Sequence, residues 1–274
     1  VTQDIPHPPN PAILPPRRAR MPLRPGALRP GAPRLLSLDC TGTLLTWSAS
    51  IGELYRRGFV AGVPDLEVPS AAEIDRRFPA AFKEVSLRWP RFGGAHGVSS
   101  YDFWRAVALR AVEGSDLAHE ARRADFERGF REVYGIFQTR EAYAVYDDVL
   151  PFLRWARARP GLQLCAISNV SESYRDVVLP ALGLSGFIHF GVYSKLAGVE
   201  KPDPAIFRLA AETAGVELHE VLHVGNDQRK DAQGARDAGC GAVLLDREGA
   251  LSAPEGVPKA ASFEEVRAWI EGLE

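Results

Sequence analysis

The chain has 274 residues, 46% hydrophobic and 25% charged, with a net charge of −2. That is the balance of an ordinary globular protein with material for a sizeable core. No stretch approaches the roughly 18 consecutive apolar residues of a membrane span, which excludes an integral helical membrane protein. The three scattered cysteines, Cys40, Cys165 and Cys240, make neither a disulfide framework nor a zinc site and fit a reducing compartment.

Residues 1–33 read as an N-terminal extension. The first 34 residues hold six arginines against one acid, Asp4, and ten of the 21 prolines. A segment so composed builds no core of its own. Its Arg-rich, acid-poor character resembles an organellar transit peptide of chloroplast or mitochondrion, although it lacks serine. A second reading is a tail that lies on a protein partner. Val1 in place of Met reads as a processed chain or a fragment. The remaining residues are net −7, which argues against nucleic acid as the partner of the folded part.

From residue 34 short apolar runs alternate with helical stretches. Residues 34–39 (RLLSLD), 162–168 (LQLCAIS), 188–194 (IHFGVYS), 221–225 (VLHVG) and 241–246 (GAVLLD) read as strands. Their near-continuous apolar character means that both faces of the sheet are covered. Helices are expected at 148–159, 172–182, 204–214, 229–238 and 262–271, with Asp203-Pro204 as a strong helix start. The pattern predicts an α/β fold with a doubly wound, parallel, Rossmann-like sheet. Residues 47–146 read as helix only, at 51–62, 70–88, 101–113 and 117–137. That is too long for a simple crossover. The expected organisation is a core of 34–46 and 147–274 with a helical cap of 47–146 inserted over the end of the first strand.

Ligands of an open α/β sheet bind beyond the carboxyl ends of its strands. There the sequence places Asp39-Cys40-Thr41-Gly42-Thr43, Ser168-Asn169, Lys201, and Gly225-Asn226-Asp227 with Asp231. A carboxylate can attack phosphorus covalently. An acid-bound Mg²⁺ offsets phosphate charge, and a lysine and a hydroxyl hold phosphate oxygens. Each residue alone has an ordinary structural explanation. Four such groups in chain order at four strand ends do not.

The series DCTGTLL, SN, EKPDP and VGNDQRKD resembles the four motifs of the haloacid dehalogenase superfamily over about residues 34–250. The long helical insert resembles its C1-type cap. RFGGAHGVSSYDFW and the last motif look most like an HDHD-three-type branch that includes plant and algal members. The resemblance implies Asp39 as nucleophile, forming an aspartyl-phosphate, with Thr41 at the position of the usual second Asp. It implies Ser168, Asn169 and Lys201 as phosphate-binding groups. A Mg²⁺ ion would be held by Asp39, Thr41 and the last motif's Asn226, Asp227 and Asp231. Two departures stand out. Thr41 replaces the general acid, and a hydroxyl is far too weak an acid for that role. Asn226 replaces the first acid of the last motif, and Mg²⁺ prefers charged carboxylates.

The expected function is therefore a Mg²⁺-dependent phosphatase of a small phosphorylated metabolite, with slow turnover. The alternative is a catalytically impaired accessory subunit of a larger, organellar assembly. A metal-independent dehalogenase is a third reading, although the Tyr usual two residues after the nucleophile is missing. In the insert, 88–97 (RWPRFGGAHG) reads as a mobile loop that places Arg91 against substrate. Tyr101 and Trp104 read as insert core. Cys40 should point away from Asp39, and His223 should be a satisfied core or supporting histidine.

Overall fold

The computed structural model describes residues 32–273. The partner and targeting expectations for the N-terminal extension fall almost wholly on residues 1–31 and lie outside the described residues. The core is a six-stranded sheet of β1 (Leu35–Leu38), β4 (Gln163–Ser168), β5 (Phe190–Tyr193), β6 (Val221–Gly225), β7 (Gly241–Leu245) and β8 (Lys259–Ala260), with β2 (Leu45–Trp47) and β3 (Tyr143–Val145) forming a separate two-stranded ribbon. The order is β5-β4-β1-β6-β7-β8 and every pair in it is parallel. The chain leaves β1 to build one side of the sheet and returns beside it to build the other. The strand ends around β1 and β6 therefore form the switch-point crevice of a doubly wound fold.

Alternation along the strands divides the core in two. Leu36, Leu38, Leu164, Ala166, Leu222 and Val224 face one layer, where α5 (Val149–Arg157) and α10 (Phe263–Gly272) cover them. Leu35, Cys165, Ile167, Val221 and Leu244 face the other, under α8 (Pro204–Ala214) and α9 (Gly234–Asp237). With both faces covered the strands carry few polar residues, which is why they are legible in the sequence. Asp203 caps α8 by accepting from Ala205 N at 2.9 Å, with Pro204 at the first helical position.

Four helices fill the insert: α1 (Ile51–Gly62), α2 (Ala71–Arg88), α3 (Ser100–Ala111) and α4 (Arg123–Ile136). Ser50, Ser70 and Ser99 cap the first three, Ser70 in a reciprocal box with Glu73. Phe59, Phe103, Phe126 and Phe130 are fully buried in a core that the insert builds for itself.

Three expectations need correction. Residues 117–137 are not one helix: two short 3₁₀ turns at 116–118 and 120–122 precede α4. The 47–146 stretch is not helix only, because Trp47 belongs to β2 and Tyr143–Val145 form β3, and these strands pair antiparallel. Strands of three residues are too short for a period-2 pattern to show. The expected helix at 172–182 contains one wide π turn over Tyr174–Val178 before the short α6 (Leu179–Ala181).

Candidate active site

Asp39 directly follows β1, and its N–H donates to Val224 O at 3.0 Å, prolonging the ladder by one residue. The carboxylate is thereby fixed at the crevice, with the residue only 8% exposed. Lys201 Nζ donates to Asp39 Oδ1 at 2.7 Å, to Asp231 Oδ1 at 2.5 Å and to Ile167 O at 2.7 Å. Asn169 sets the position of this lysine. Its side chain accepts from Lys201 N and donates to Lys201 O, both at 2.8 Å. Asn169, expected to bind substrate, thus spends both polar atoms on positioning Lys201. Ser168, at the end of β4, is buried, and its hydroxyl favours the ionised Asp39 carboxyl against the effect of burial.

Asp231 is delivered by a second wide π turn, Gln228–Gln233, after β6. Its Oδ1 accepts from Lys201 and lies 3.2 Å from His223 Nε2, and its Oδ2 accepts from Asp227 N at 2.9 Å. Burial works against ionisation of Asp231, but the Lys201 charge and the His223 hydrogen bond win and hold its carboxyl well below the usual range. For Lys201, burial is outweighed by Asp231 and Asp39, and its ammonium is pushed up. Asp39 goes the other way: burial first, then the Asp231 charge, raise it against the pull of Lys201. Two carboxylates share one ammonium, and the more enclosed one takes most of the benefit.

His223 is fully buried, and burial lowers its basicity. A neutral ring satisfies both neighbours: Nε2–H donates to Asp231, and Nδ1 accepts from Ser37 Oγ at 2.9 Å. The supporting role read from the sequence is what the packing shows. Neutral when folded, the ring is free to charge at about pH 6.5 once unfolded. Acid therefore favours the unfolded chain. The His223 contribution is full above about pH 6.5 and falls by about 1.4 kcal/mol per pH unit below it, until the folded ring itself takes a proton. Thermal midpoints measured from pH 7 to 5 should fall less steeply for His223→Gln than for the parent. Parallel curves would contradict the neutral assignment.

Gly42 has φ +83°, and a Cβ there would stand 2.4 Å from Asn226 Nδ2. Glycine is what lets the loop after β1 touch the loop after β6. Asn226 Oδ1 accepts from Thr43 Oγ1 at 3.2 Å. Asp227 caps the following turn, accepting from Arg229 N at 2.9 Å and Lys230 N at 2.8 Å. Among the described residues no three His, Cys, Asp or Glu side chains gather as a metal cage. The donors at the crevice are the Asp39 carboxylate and the Asn226 amide. Mg²⁺ commonly takes one or two carboxylates and completes its shell with water and phosphate oxygens, so this donor set fits that ion as a sparse site.

Thr41 Oγ1 lies 2.5 Å from Tyr174 OH. Burial and the neighbouring Tyr143 push the Tyr174 phenol far up, so the pair offers no general acid tuned near neutral pH. Nothing in the sequence marks Tyr174, 133 residues away. Beside Thr41 and Asn169 opens a cavity of about 240 Å³ between insert and core. Arg91 is not among its lining residues, and its neighbour Phe92 is. Arg91, Phe92 and Gly93 have φ of 52°, 55° and 79°, a strained run for non-glycine residues. The loop docks on the core so closely that a Cβ at Gly94 would be 2.7 Å from Lys195 O. Tyr101 packs within the insert, 5.0 Å from Phe130 and from Tyr134. Trp104, expected only as core, also lines the cavity. Cys40 is buried and burial pushes its thiol up, leaving no reactive thiolate.

A buried carboxylate at the switch point, held by lysine, is an arrangement able to serve carboxylate-nucleophile chemistry. A family model described as haloacid dehalogenase-like hydrolase matches residues 33–239, and the chain belongs to that family. It is 32% identical over 212 residues to human haloacid dehalogenase-like hydrolase domain-containing protein 3, covering 77% of this chain and 81% of the relative. It is 30% identical over 247 residues to a phosphoserine phosphatase of Thermus thermophilus, covering 82% and 93%. Among solved structures, a 2-haloacid dehalogenase from Pseudomonas syringae superposes with a TM-score of 0.63 at 21% identity, covering 88% of this chain and 99% of that one.

Proposed function

We propose that the protein is a Mg²⁺-dependent phosphoric monoester hydrolase of a small phosphorylated metabolite. The reading rests above all on the Asp39–Lys201–Asp231 cluster beside Thr41. Phosphatases among the relatives support the reaction class. Lys201 fixes Asp39 Oδ1, which leaves Oδ2 to attack phosphorus. The bond from phosphorus to the ester oxygen breaks, and the leaving alkoxide takes its proton from solvent, since Thr41 stands where a carboxylic general acid would be needed. Water then attacks the aspartyl-phosphate, releasing phosphate and restoring Asp39. Asp39 and Asn226, with Thr41, are the residues we assign to Mg²⁺, whose chemistry is to offset phosphate charge. Asp227 and Asp231 serve instead as helix cap and lysine partner. Ser168 holds a phosphate oxygen, while Lys201, whose three N–H groups are taken by Asp39, Asp231 and Ile167 O, contributes its positive charge beside the phosphate.

Without a general acid-base group both steps are slow. Thr41→Asp restores one, and such groups contribute about 10² to 10⁴-fold. Thr41→Asp should therefore raise hydrolysis of an alkyl phosphate by at least ~10²-fold. Acid-quenched parent protein should show phosphate on Asp39 by mass spectrometry. No phosphate on Asp39 and no gain in the variant would together dismiss the mechanism. The same Thr41 and Asn226 departures favour the second reading, an accessory subunit. A stable complex from extract that survives Asp39→Asn, with no ester hydrolysed, would establish it. The organellar location and a partner for residues 1–33 belong to this proposal on composition alone.

A further inference from the structure

The cavity next to the nucleophile's loop has a wall chemistry that the reaction class does not dictate. Trp47, Phe78, Phe82, Phe92, Trp104 and Phe137 supply rings, and none of its lining residues is charged. Its polar side-chain groups are all neutral: hydroxyls, the indole N–H groups of Trp47 and Trp104, and the amides of Gln138 and Asn169. Asn169 is already spent on Lys201. Lys195, on the short helix against which the insert's loop docks, is held by Ser100 Oγ at 2.8 Å and by Glu172 at 3.3 Å. A carboxylate carried into this space would lose its water and find no cation. Phe92 adds a second sign. Its backbone sits in the left-handed region, and its ring is aimed into the cavity at 5.2 Å from Phe103 and 5.9 Å from Trp104. Strain of this kind persists only where surrounding structure enforces it, and here it adds one more ring to the wall.

We propose that the cavity takes the uncharged, ring-bearing alcohol part of the phosphate ester and rejects esters whose alcohol carries a carboxylate. The inference rests on the phosphatase reading for its ester but on the cavity for its selectivity. It separates this chain from the relative named for phosphoserine, a substrate that carries a carboxylate. Rings stack on aromatic walls with an additional preference beyond area. A buried, unpaired carboxylate is costly enough to shift selectivity by about 10²-fold or more.

The test compares kcat/KM for 2-phenylethyl phosphate and for the phosphate ester of 3-hydroxypropanoate, both with primary alkyl leaving groups. The phenylethyl ester should be favoured by at least ~10²-fold. Gln138→Arg, which places a cation at a half-buried lining position, should narrow that ratio at least ~10-fold. Equal use of the two esters, or preference for the carboxylate, overturns the proposal while leaving a phosphatase. If neither ester is hydrolysed, the phosphatase reading fails separately, and binding decides the cavity. Millimolar 2-phenylethanol should then change the fluorescence of Trp47 and Trp104 where 3-hydroxypropanoate does not. No change with the aromatic alcohol overturns the assignment.

Discussion

Asp39→Asn should abolish turnover and leave the protein as stable as the parent or more so. An amide oxygen can still accept from Lys201 Nζ, now 2.7 Å from Asp39 Oδ1, and the replacement is nearly isosteric. It cannot attack phosphorus. Removing a covalent nucleophile that works as part of a unit costs on the order of 10⁴ to 10⁶ in kcat. The stability half of the prediction comes from electrostatics. Burial and the Asp231 charge make the ionised Asp39 unfavourable in place, so its neutral counterpart relieves repulsion while Lys201 keeps Asp231. Sites built for reaction are commonly strained in this way. Calorimetry and steady-state kinetics on one preparation check both halves. A variant retaining activity on any phosphate ester would remove Asp39 from the mechanism.

Lys201→Met should be the most destabilising single change at the site. The side chain is 2% exposed and bridges two carboxylates, of which Asp231 is 1% exposed. Without the ammonium, both acids remain buried, close together and unneutralised. Breaking one partner out of such a cluster costs about 3–5 kcal/mol. For a domain of this size each kcal/mol lowers the midpoint by roughly 2–4 °C. If the loss comes from the orphaned charges, Lys201→Met with Asp231→Asn should recover part of it. A double variant as unstable as the single one would place the loss in packing instead.

Much of this arrangement is visible in the sequence because its causes are local. The strands lie between two hydrophobic layers, so runs such as LLSL and VLHVG have almost no polar interruption. Asp39, Ser168, Lys201 and Asp231 are legible because chemistry and chain order coincide at strand ends. The use of each acid is not. Asp227 and Asp231 are both acids on one turn, and only the fold shows that one caps it while the other meets Lys201 and His223. Tyr174 escapes notice because its partner Thr41 is distant in sequence and the π turn that carries it looks like ordinary helix. The exchange of Arg91 for Phe92 has a similar origin. A glycine-rich loop suggests freedom, whereas Arg91 and Phe92 both hold positive φ and only Phe92 lines the cavity.

The β2–β3 ribbon has a consequence for how this protein can change. Ser48 N donates to Ala142 O at 2.9 Å, just beyond the pairing of Trp47 with Tyr143. The point where the chain departs from the sheet and the point where it returns are neighbours. To the sheet, the whole excursion counts as little more than a hairpin turn, and the entropy of closing a loop grows only slowly with its length. Lengthening, shortening or exchanging that excursion leaves the strand ends undisturbed. Most of the cavity's aromatic wall travels with the excursion, while Asp39, Ser168, Lys201 and Asp231 stay with the sheet. Selection can therefore exchange the cavity wall and keep the Asp39–Lys201–Asp231 cluster, in one insertion or deletion rather than through a succession of compensated core substitutions.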